Sequence, residues 1–342
     1  MKILIPNHDL DSVTRHTMAC VGSGDEISIV IAGPGEKDRG GIEAPPVRSK
    51  LDFKAITAYR RILTSGKFDL TFSPSTSGLS TMLFASLGTG VVNIGYRGTQ
   101  AKVRRSDPTN WLALLNPRMA HCVCETEDIR LYMAGLIGEK KVSGMPKPYE
   151  LEWVEKSLSE PKVAEGRRSE AFGLIYIGMS AGRPHKGLRQ LVDAMKLTGN
   201  RDIQLTVIGS FDESTRLAAP EGKVIFCGPR PSAVDYIPGH DLYVLPSLRD
   251  ASPRVVREAQ ACGVPCIVSD IPGARDLIIP GTTGLLVRPG SPEAIAEAIC
   301  RLYDNRTELK AMAAATRPYI AANYAMAPYA AYFRNLFLSL SR

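Results

Sequence analysis

The chain has 342 residues, 44% of them hydrophobic and 23% charged, with a formal net charge of +7 and a pI near 9.0. That length fits two domains of about 150–170 residues each better than one, and the composition is that of an ordinary globular protein. No apolar run approaches the length needed to cross a bilayer, and seven scattered cysteines argue for a reducing compartment and against a disulfide framework.

Taken in order, short apolar runs alternate with helical patterns, the signature of parallel sheets built from βαβ units. MKILIP is too short for the apolar stretch of a signal peptide and reads as a first strand, 2–5, so the chain is expected in the cytoplasm. Further strands are expected at 27–32, 70–73, 90–94 and 122–124, with helices near 14–21, 53–65, 79–87, 111–115 and 128–136. Cys122-x-Cys124 puts both thiols on one face of a strand and reads as core, not as a metal chelate. The polar, aperiodic SLSEPKVAEGRRSEA at 157–171 reads as a linker. The second half predicts strands at 172–178, 204–208, 224–227, 242–245, 265–269 and 284–287. Helices are predicted between them near 187–195, 234–237, 253–262 and 273–278, then at 292–303, 306–319 and 329–340.

The stretch with most chemistry runs from Val244 to Asp270, VLPSLRDASPRVVREAQACGVPCIVSD. A strand ends at Leu245, a turn follows, and a helix is predicted to start with Ser252 as N-cap and Pro253 at the first helical position. The free N–H groups of that helix then point out of the carboxyl end of a strand, where open α/β sheets bind phosphorylated ligands. Asp250 and Glu258 flank the start with seven residues between them. Glu258 can accept hydrogen bonds from a ribose diol and Asp250 from sugar hydroxyls, which suits a sugar carried on a nucleotide diphosphate. Arg254, four residues before Glu258, could instead form only a surface ion pair with it.

This segment resembles the donor-site signature of the retaining, two-Rossmann-domain glycosyltransferases of family 4. There, two glutamates seven residues apart bracket a Gly-Phe-Gly or Gly-Ser-Pro turn, and Glu-Ala-Met-Ala-Cys-Gly follows. Glu258-Ala259-Gln260-Ala261-Cys262-Gly263 matches closely, with Asp250 in place of the first glutamate and Ala251-Ser252-Pro253 as the turn. The likeness is good from about 172 to 302 and only architectural before that. It implies an α/β, GT-B architecture of two Rossmann-like domains facing across a cleft. An acceptor-binding domain is expected at 1–160, a nucleotide-sugar domain at 161–325, and a C-terminal helix at 326–342 returning to the first domain.

The resemblance also implies residue roles. Its diphosphate-binding loop carries an arginine and a lysine, the lysine just before a glycine; Lys186-Gly187 fits that pattern and Arg183 stands in for the arginine. Two such cations would stabilise the departing diphosphate. With Asp250 they form the expected catalytic set. Glu258, Ser252, Pro253 and Arg254 are expected to bind the donor, and the strand-end glycines Gly178, Gly209 and Gly228 to line the base pocket. Family members place a histidine after the fourth strand near the donor sugar; here that region has none, so Arg97, Tyr96 and, after the first strand, His8 are the acceptor-side candidates.

The expected activity is transfer, with retention, of a sugar from a UDP- or GDP-linked donor to a saccharide or lipid-linked acceptor in cell-surface polysaccharide or lipopolysaccharide assembly. No cofactor or metal is expected, since the sequence shows no HExxH, DxD or Cys/His ligand spacing. The positive charge suits a peripheral place at the inner face of an anionic membrane, although solubility alone accounts for it as well. The densest basic run, Lys102-Val103-Arg104-Arg105, lacks interleaved aromatics for stacking bases, so nucleic acid is not expected. The rival readings are a non-catalytic partner subunit that binds nucleotide sugars, a nucleotide-sugar epimerase on the same architecture, and a periplasmic-type binding protein.

Overall fold

The computed structural model describes residues 1–340 and divides the chain into two units. The first is Met1–Pro148 joined by the C-terminal segment from Met326; the second is Tyr149–Ala325. In the first, the strands are β1 (Lys2–Pro6), β2 (Ser28–Gly33), β3 (Ile42–Glu43), β4 (Leu70–Ser73), β5 (Val92–Arg97), β6 (Met119–Cys124) and β7 (Val142–Gly144). Helices α1 (Ser12–Val21), α2 (Phe53–Gly66), α3 (Thr76–Ala85), α4 (Pro108–Trp111) and α5 (Glu127–Ile137) connect them. The sheet order is β3-β2-β1-β4-β5-β6-β7, every pair parallel. Ile3, Leu4 and Ile5 are fully buried, as are the four residues of β4. Continuous burial is what a parallel strand covered on both faces requires, and it is why these strands read as unbroken apolar runs. Asp11, Asp52, Ser75 and Thr126 each accept a hydrogen bond from the backbone N–H three residues on and so set the starts of α1, α2, α3 and α5.

The second unit repeats the plan. It opens with α6 (Glu155–Ser159) and continues through β8 (Phe172–Ile177), α7 (Leu188–Leu197), β9 (Ile203–Ile208), α8 (Glu213–Leu217), β10 (Val224–Gly228) and β11 (Leu242–Leu245). Then come α9 (Arg254–Ala261), β12 (Cys266–Ser269), β13 (Gly284–Val287), α10 (Pro292–Asp304) and α11 (Arg306–Asn323). The order is β10-β9-β8-β11-β12-β13, again all parallel. In each sheet the chain works outward from the first strand, then returns to its other side. The reversal falls between β1 and β4 and between β8 and β11, and the carboxyl ends of strands at such a point are where this architecture binds ligands.

The last helix, α12 (Met326–Leu340), belongs to the first unit. Phe333 and Phe337 pack on Phe72 of β4 with ring centroids 5.2 and 5.9 Å away, and Met326 Sδ accepts from the Thr17 hydroxyl of α1. Residues 341 and 342 of the expected helix lie outside the described residues.

Several expectations are corrected. The units divide after Pro148, not after 160, because Tyr149, Val154 and Ser157 are buried in the second unit, where the Ser157 hydroxyl donates to Asp235 at 2.8 Å. Part of the expected linker, 157–159, is therefore helix α6. The helices expected near 234–237 and 273–278 are single 3₁₀ turns, Ala233–Tyr236 and Arg275–Leu277, each too short to repeat an apolar face. The one expected at 111–115 is α4, pulled earlier by the Asp107 cap and Pro108. Ser252 is not the N-cap of α9. Pro253, with φ −67° and ψ 104°, takes that place, and Ser252 Oγ instead accepts from Arg257 Nη1 at 3.1 Å.

Candidate active site

In the second unit, β8 and β11 end side by side and their loops carry the predicted diphosphate-binding and carboxylate residues. Two glycines explain how closely the loops meet. Gly187 has φ +75°, and a Cβ there would lie 1.9 Å from the Pro246 carbonyl oxygen; Gly209 has φ +118°, and a Cβ there would lie 2.0 Å from that of Gly178. Any larger residue would push the backbones apart. The row is held by Gly178 N–H donating to Ile208 and Gly209 N–H to Gly228. Gly178, Gly209 and Gly228 therefore stand together at the strand ends.

The close approach brings Lys186 to Asp250, Nζ to Oδ2 at 2.8 Å, with both side chains mostly buried. Glu258 pairs with Arg254 Nε at 2.9 Å and is only 15% exposed, whereas Arg254 is 55% exposed. Burial pushes the Glu258 carboxyl above its ordinary range, against the lowering pull of Arg254 and Arg257. The ion pair between Arg254 and Glu258 is thus real, but it is not a solvated surface pair, because one partner is sunk beside the site.

Arg183 is placed differently from Lys186. It lines a separate hollow of about 190 Å³ with Ser180, Arg189 and Asp212, on the α8 side of the loop. The loop is braced there: Ser180 Oγ donates to the Ser210 carbonyl at 2.7 Å and Gly182 N–H to Asp212 Oδ1 at 3.0 Å. Arg183 also helps to lower the His185 pKa, behind slight burial and the Arg249 and Lys186 cations. Arg249, His185 and Asp212 were not singled out in the sequence. Each lies within four residues of a strand-end motif, which was the available signal.

Arg257 was also missed. It is 2% exposed, holds Ser252, and stacks over the Tyr324 ring at 5.6 Å, while Arg254 lies 5.8 Å over the Tyr149 ring. Tyr149 N–H donates to the Tyr324 carbonyl at 2.8 Å. The helix that carries Glu258 is therefore tied by two arginines to the first and last turns of its own unit. A charged residue in a helix reads as a solvent-facing position, and that concealed Arg257.

In the first unit, a cavity of about 340 Å³ opens at the carboxyl ends of β1, β4, β5 and β6. Tyr96 and Arg97 line it; His8 stands behind, its Nδ1 2.9 Å from Ser75 Oγ and 3.1 Å from Asp9 Oδ2, both of which face the cavity. Asp9 has φ +56°, a strained conformation outside glycine. Arg97 is turned back onto its own loop, where Nη2 donates to the Ala101 carbonyl. The floor is Glu125, 7% exposed, accepting from the Tyr96 hydroxyl at 2.8 Å. Burial drives the Tyr96 phenol well up, and the Glu125 charge adds to it. Lys147 pairs with Asp11 and lies 5.3 Å over the Tyr96 ring. Burial would raise the Asp11 carboxyl, but hydrogen bonds from Lys147 and Thr14 outweigh it and hold it below its ordinary value. Glu125, Asp11, Lys147 and the Ser75–Ser77 hydroxyls went unread because four separate segments supply them.

Among the described residues no group of three or more His, Cys, Asp or Glu is placed to hold a metal ion, and no helix is long and apolar enough to cross a membrane.

Comparison with known proteins converges on the second unit. Residues 171–305 match the family model described as glycosyl transferases group 1. The capsular polysaccharide biosynthesis glycosyltransferase CapM of Staphylococcus aureus is 29% identical over 150 residues, 41% of this chain and 38% of that protein. A D-inositol 3-phosphate glycosyltransferase of Catenulispora acidiphila is 32% identical over 166 residues, 44% of this chain and 40% of the relative. The chain spans less than half the length of these curated relatives. Among solved structures, a glycosyltransferase from Rickettsia africae has a TM-score of 0.82 at 14% identity over 99% of this chain and 98% of that one. Anabaena Alr3699/HepE in complex with UDP has 0.79 at 17% identity over 99% and 100%. Residues 171–305 of the second unit thus resemble glycosyl transferases group 1, within a chain whose two-sheet fold is GT-B.

Proposed function

We propose that the protein is a retaining glycosyltransferase of family 4 that moves a sugar from a UDP- or GDP-linked donor to a saccharide or lipid-linked acceptor. The observation that carries this is the Lys186–Asp250 pair at the β8/β11 reversal, beside the buried Glu258. In this structure the cation and the carboxylate satisfy each other. A donor supplies both with better partners: its diphosphate takes the lysine, and its sugar hydroxyls donate to Asp250. Glu258 likewise trades Arg254 for a ribose diol. Lys186 then stabilises charge that grows on the leaving diphosphate, the term that preorganised cations supply best. The glycosidic C–O bond to the diphosphate breaks as the acceptor oxygen bonds to the same carbon on the same face, and a diphosphate oxygen takes the acceptor proton. No protein base is required.

The first unit's cavity suits the acceptor, since hydroxyls and carboxylates around a buried Glu125–Tyr96 floor can order several sugar hydroxyls. The names of the relatives support a place in surface-glycan assembly: capsular polysaccharide for CapM, an undecaprenol-diphosphate-linked acceptor for a Campylobacter jejuni relative, and lipopolysaccharide outer core for a structural neighbour. Work at the inner face of an anionic membrane is part of this reading. The test is turnover of labelled UDP- and GDP-sugars with and without undecaprenol-linked saccharides, with the product anomer read by NMR. Acceptor-dependent release with the donor's anomeric configuration kept is expected. Binding without turnover would make the chain a partner subunit, an isomerised donor would make it an epimerase, and an inverted product would remove the retaining assignment.

A further inference from the structure

A hollow in the first unit lies outside everything the transfer reading uses. It holds about 300 Å³ over β2, between α1 and a 3₁₀ turn, Lys37–Arg39, and shares no lining residue with the cavity at β1 and β4. Its floor follows from strand alternation. Val30 packs on one face of the sheet with Tyr59 and Leu63 of α2, so Ile29 and Ile31 face the other, where α1 leaves them half-buried. A parallel strand is normally covered on both faces, and here part of that cover is missing. Met18 and Ala19 of α1 complete the apolar wall.

The far end is charged. Glu36 is 1% exposed and its carboxylate is ringed by donors: Arg15 Nη1 at 3.0 Å and Nη2 at 2.7 Å, and Asn7 Nδ2 at 2.5 Å. The Arg15 bonds foremost hold its carboxyl below the ordinary range, so it is ionised at neutral pH. Arg39 also turns towards Glu36, Nη1 to Oε1 at 3.9 Å, and is 66% exposed. Two guanidinium groups thus share one carboxylate, which leaves one positive charge in excess beside an apolar floor. Lys37 and Asp38, on the same turn, are exposed and cancel in charge. Glycine lets the turn close on β2: Gly40 has φ +80°, and a Cβ on Gly41 would lie 2.3 Å from the Ile31 carbonyl oxygen.

We propose that this hollow binds a small carboxylate with an apolar body, its head group on Arg15 and Arg39 and its body on Met18, Ile29 and Ile31. The excess of one positive charge matches one carboxylate, and guanidinium groups pair with that group by parallel hydrogen bonds. A phosphate ester would bring a larger negative charge beside the buried Glu36, and like charges that close repel. A metal ion fits no better, because donors already occupy both Glu36 oxygens. A sugar would meet an apolar wall where its hydroxyls need partners. The volume is at the small end for ligand sites. This binding does not rest on the proposed transfer.

Isothermal titration calorimetry of the full chain with phenylacetate tests it, with phenylacetamide as the uncharged equivalent and acetate as the head group alone. Phenylacetate should bind, the amide at least roughly tenfold more weakly for want of the charge, and acetate roughly a hundredfold more weakly for want of the apolar body. Arg39→Ser should weaken phenylacetate binding roughly tenfold. Ala19→Phe, which fills the hollow from an exposed helix position, should abolish it. Both variants should keep the wild-type thermal midpoint and the wild-type rate of sugar transfer measured without phenylacetate. Absence of binding up to about 10 mM, equal affinity for the amide, or full affinity in either variant would each overturn the site. Tighter binding of phenyl phosphate than of phenylacetate would overturn the carboxylate assignment. Absence of sugar transfer by the wild type, with phenylacetate binding intact, would overturn the enzyme reading alone.

Discussion

The two reversal points are built by opposite means. In the second unit, one contiguous stretch supplies Asp250, Ser252, Arg254 and Glu258, one further loop supplies Lys186, and the site is a set of opposite charges that pair with each other. In the first unit, the cavity takes its wall from β1, β4, β5, β6 and the loop at Lys147, and its floor is a hydroxyl–carboxylate pair rather than a cation. A diphosphate needs fixed positive charge and close backbone approach, which short motifs can encode. A polyol needs many hydrogen-bond partners spread over an area, which only the assembled sheet can present. The units should therefore respond differently to substitution, and the differences rank by size.

The largest effect is expected at Lys186. Its removal takes away the cation nearest the proposed leaving group, so Lys186→Ala should lower kcat by about 10²–10³-fold, about 3–4 kcal/mol. The thermal midpoint should also fall, because Asp250 is mostly buried and loses its ion-pair partner, so kcat is compared where the variant is folded. A drop of less than threefold, measured with donor in excess, would place the diphosphate elsewhere, and the second unit would lose its distinction from the first.

Acid should weaken the second unit next. His240 is 8% exposed, with Nε2 2.9 Å from Thr206 Oγ1, and burial foremost holds its pKa down at about 4. A histidine depressed in the folded state favours folding fully above its ordinary value of 6.5, and that contribution fades as pH falls from there towards 4. The loss reaches about 2 kcal/mol by pH 5. In the first unit His121 is also lowered by burial, less strongly, and its Nε2 is 2.6 Å from Ser143 Oγ. Thermal melts from pH 7.5 to 5 should show the His240→Gln variant with a flatter pH dependence than wild type, by about that amount. Parallel curves would mean that His240 takes up its proton without cost.

How much of this could be read beforehand follows the same division. The strands were legible because parallel sheets demand unbroken apolar runs, and Ile3–Ile5 and Phe172–Ile177 meet that demand literally. The edge strands β3 and β7 were not, since two or three residues at a sheet margin carry no period. Asp250 and Glu258 were singled out by their spacing about a helix start and Lys186 by the resemblance, and the structure brings Lys186 to Asp250. Arg183 was assigned by analogy and stands on the other side of its loop. Glu125 was invisible, because a single carboxylate after a strand gains meaning only once Tyr96, twenty-nine residues earlier, is folded over it. Arg257 was invisible for the converse reason: its charge implied solvent, while Tyr324 and Ser252, brought in by folding, make its burial tolerable.

A smaller change is expected at Glu258. Glutamine preserves shape and can still accept from a ribose hydroxyl, but it loses the negative charge; Glu258→Gln should cost at least tenfold in turnover, about 1.4 kcal/mol. Because burial already disfavours the charged form, the folded protein should be no less stable and could be slightly more so. Titration of the variant with UDP alone should show weaker binding. Unchanged affinity and turnover in a folded variant would remove the ribose assignment.

The smallest change is expected in the first unit, at Glu125. Glutamine still accepts from the Tyr96 hydroxyl, so the floor keeps its shape; only the charge that draws acceptor hydroxyls is lost. Glu125→Gln should raise the acceptor KM roughly threefold to tenfold, about 1 kcal/mol for one charge-assisted hydrogen bond made neutral. The donor KM and acceptor-free hydrolysis of the donor should stay as in wild type. Gly98→Ala provides a steric counterpart, because a Cβ there would lie 2.6 Å from Glu125 Oε2 and press on the same group. If both variants shift the donor KM and leave the acceptor KM alone, the cavity at β1 and β4 does not hold the acceptor. If both shift the acceptor KM alone, the polyol site and the diphosphate site are separable by single substitutions.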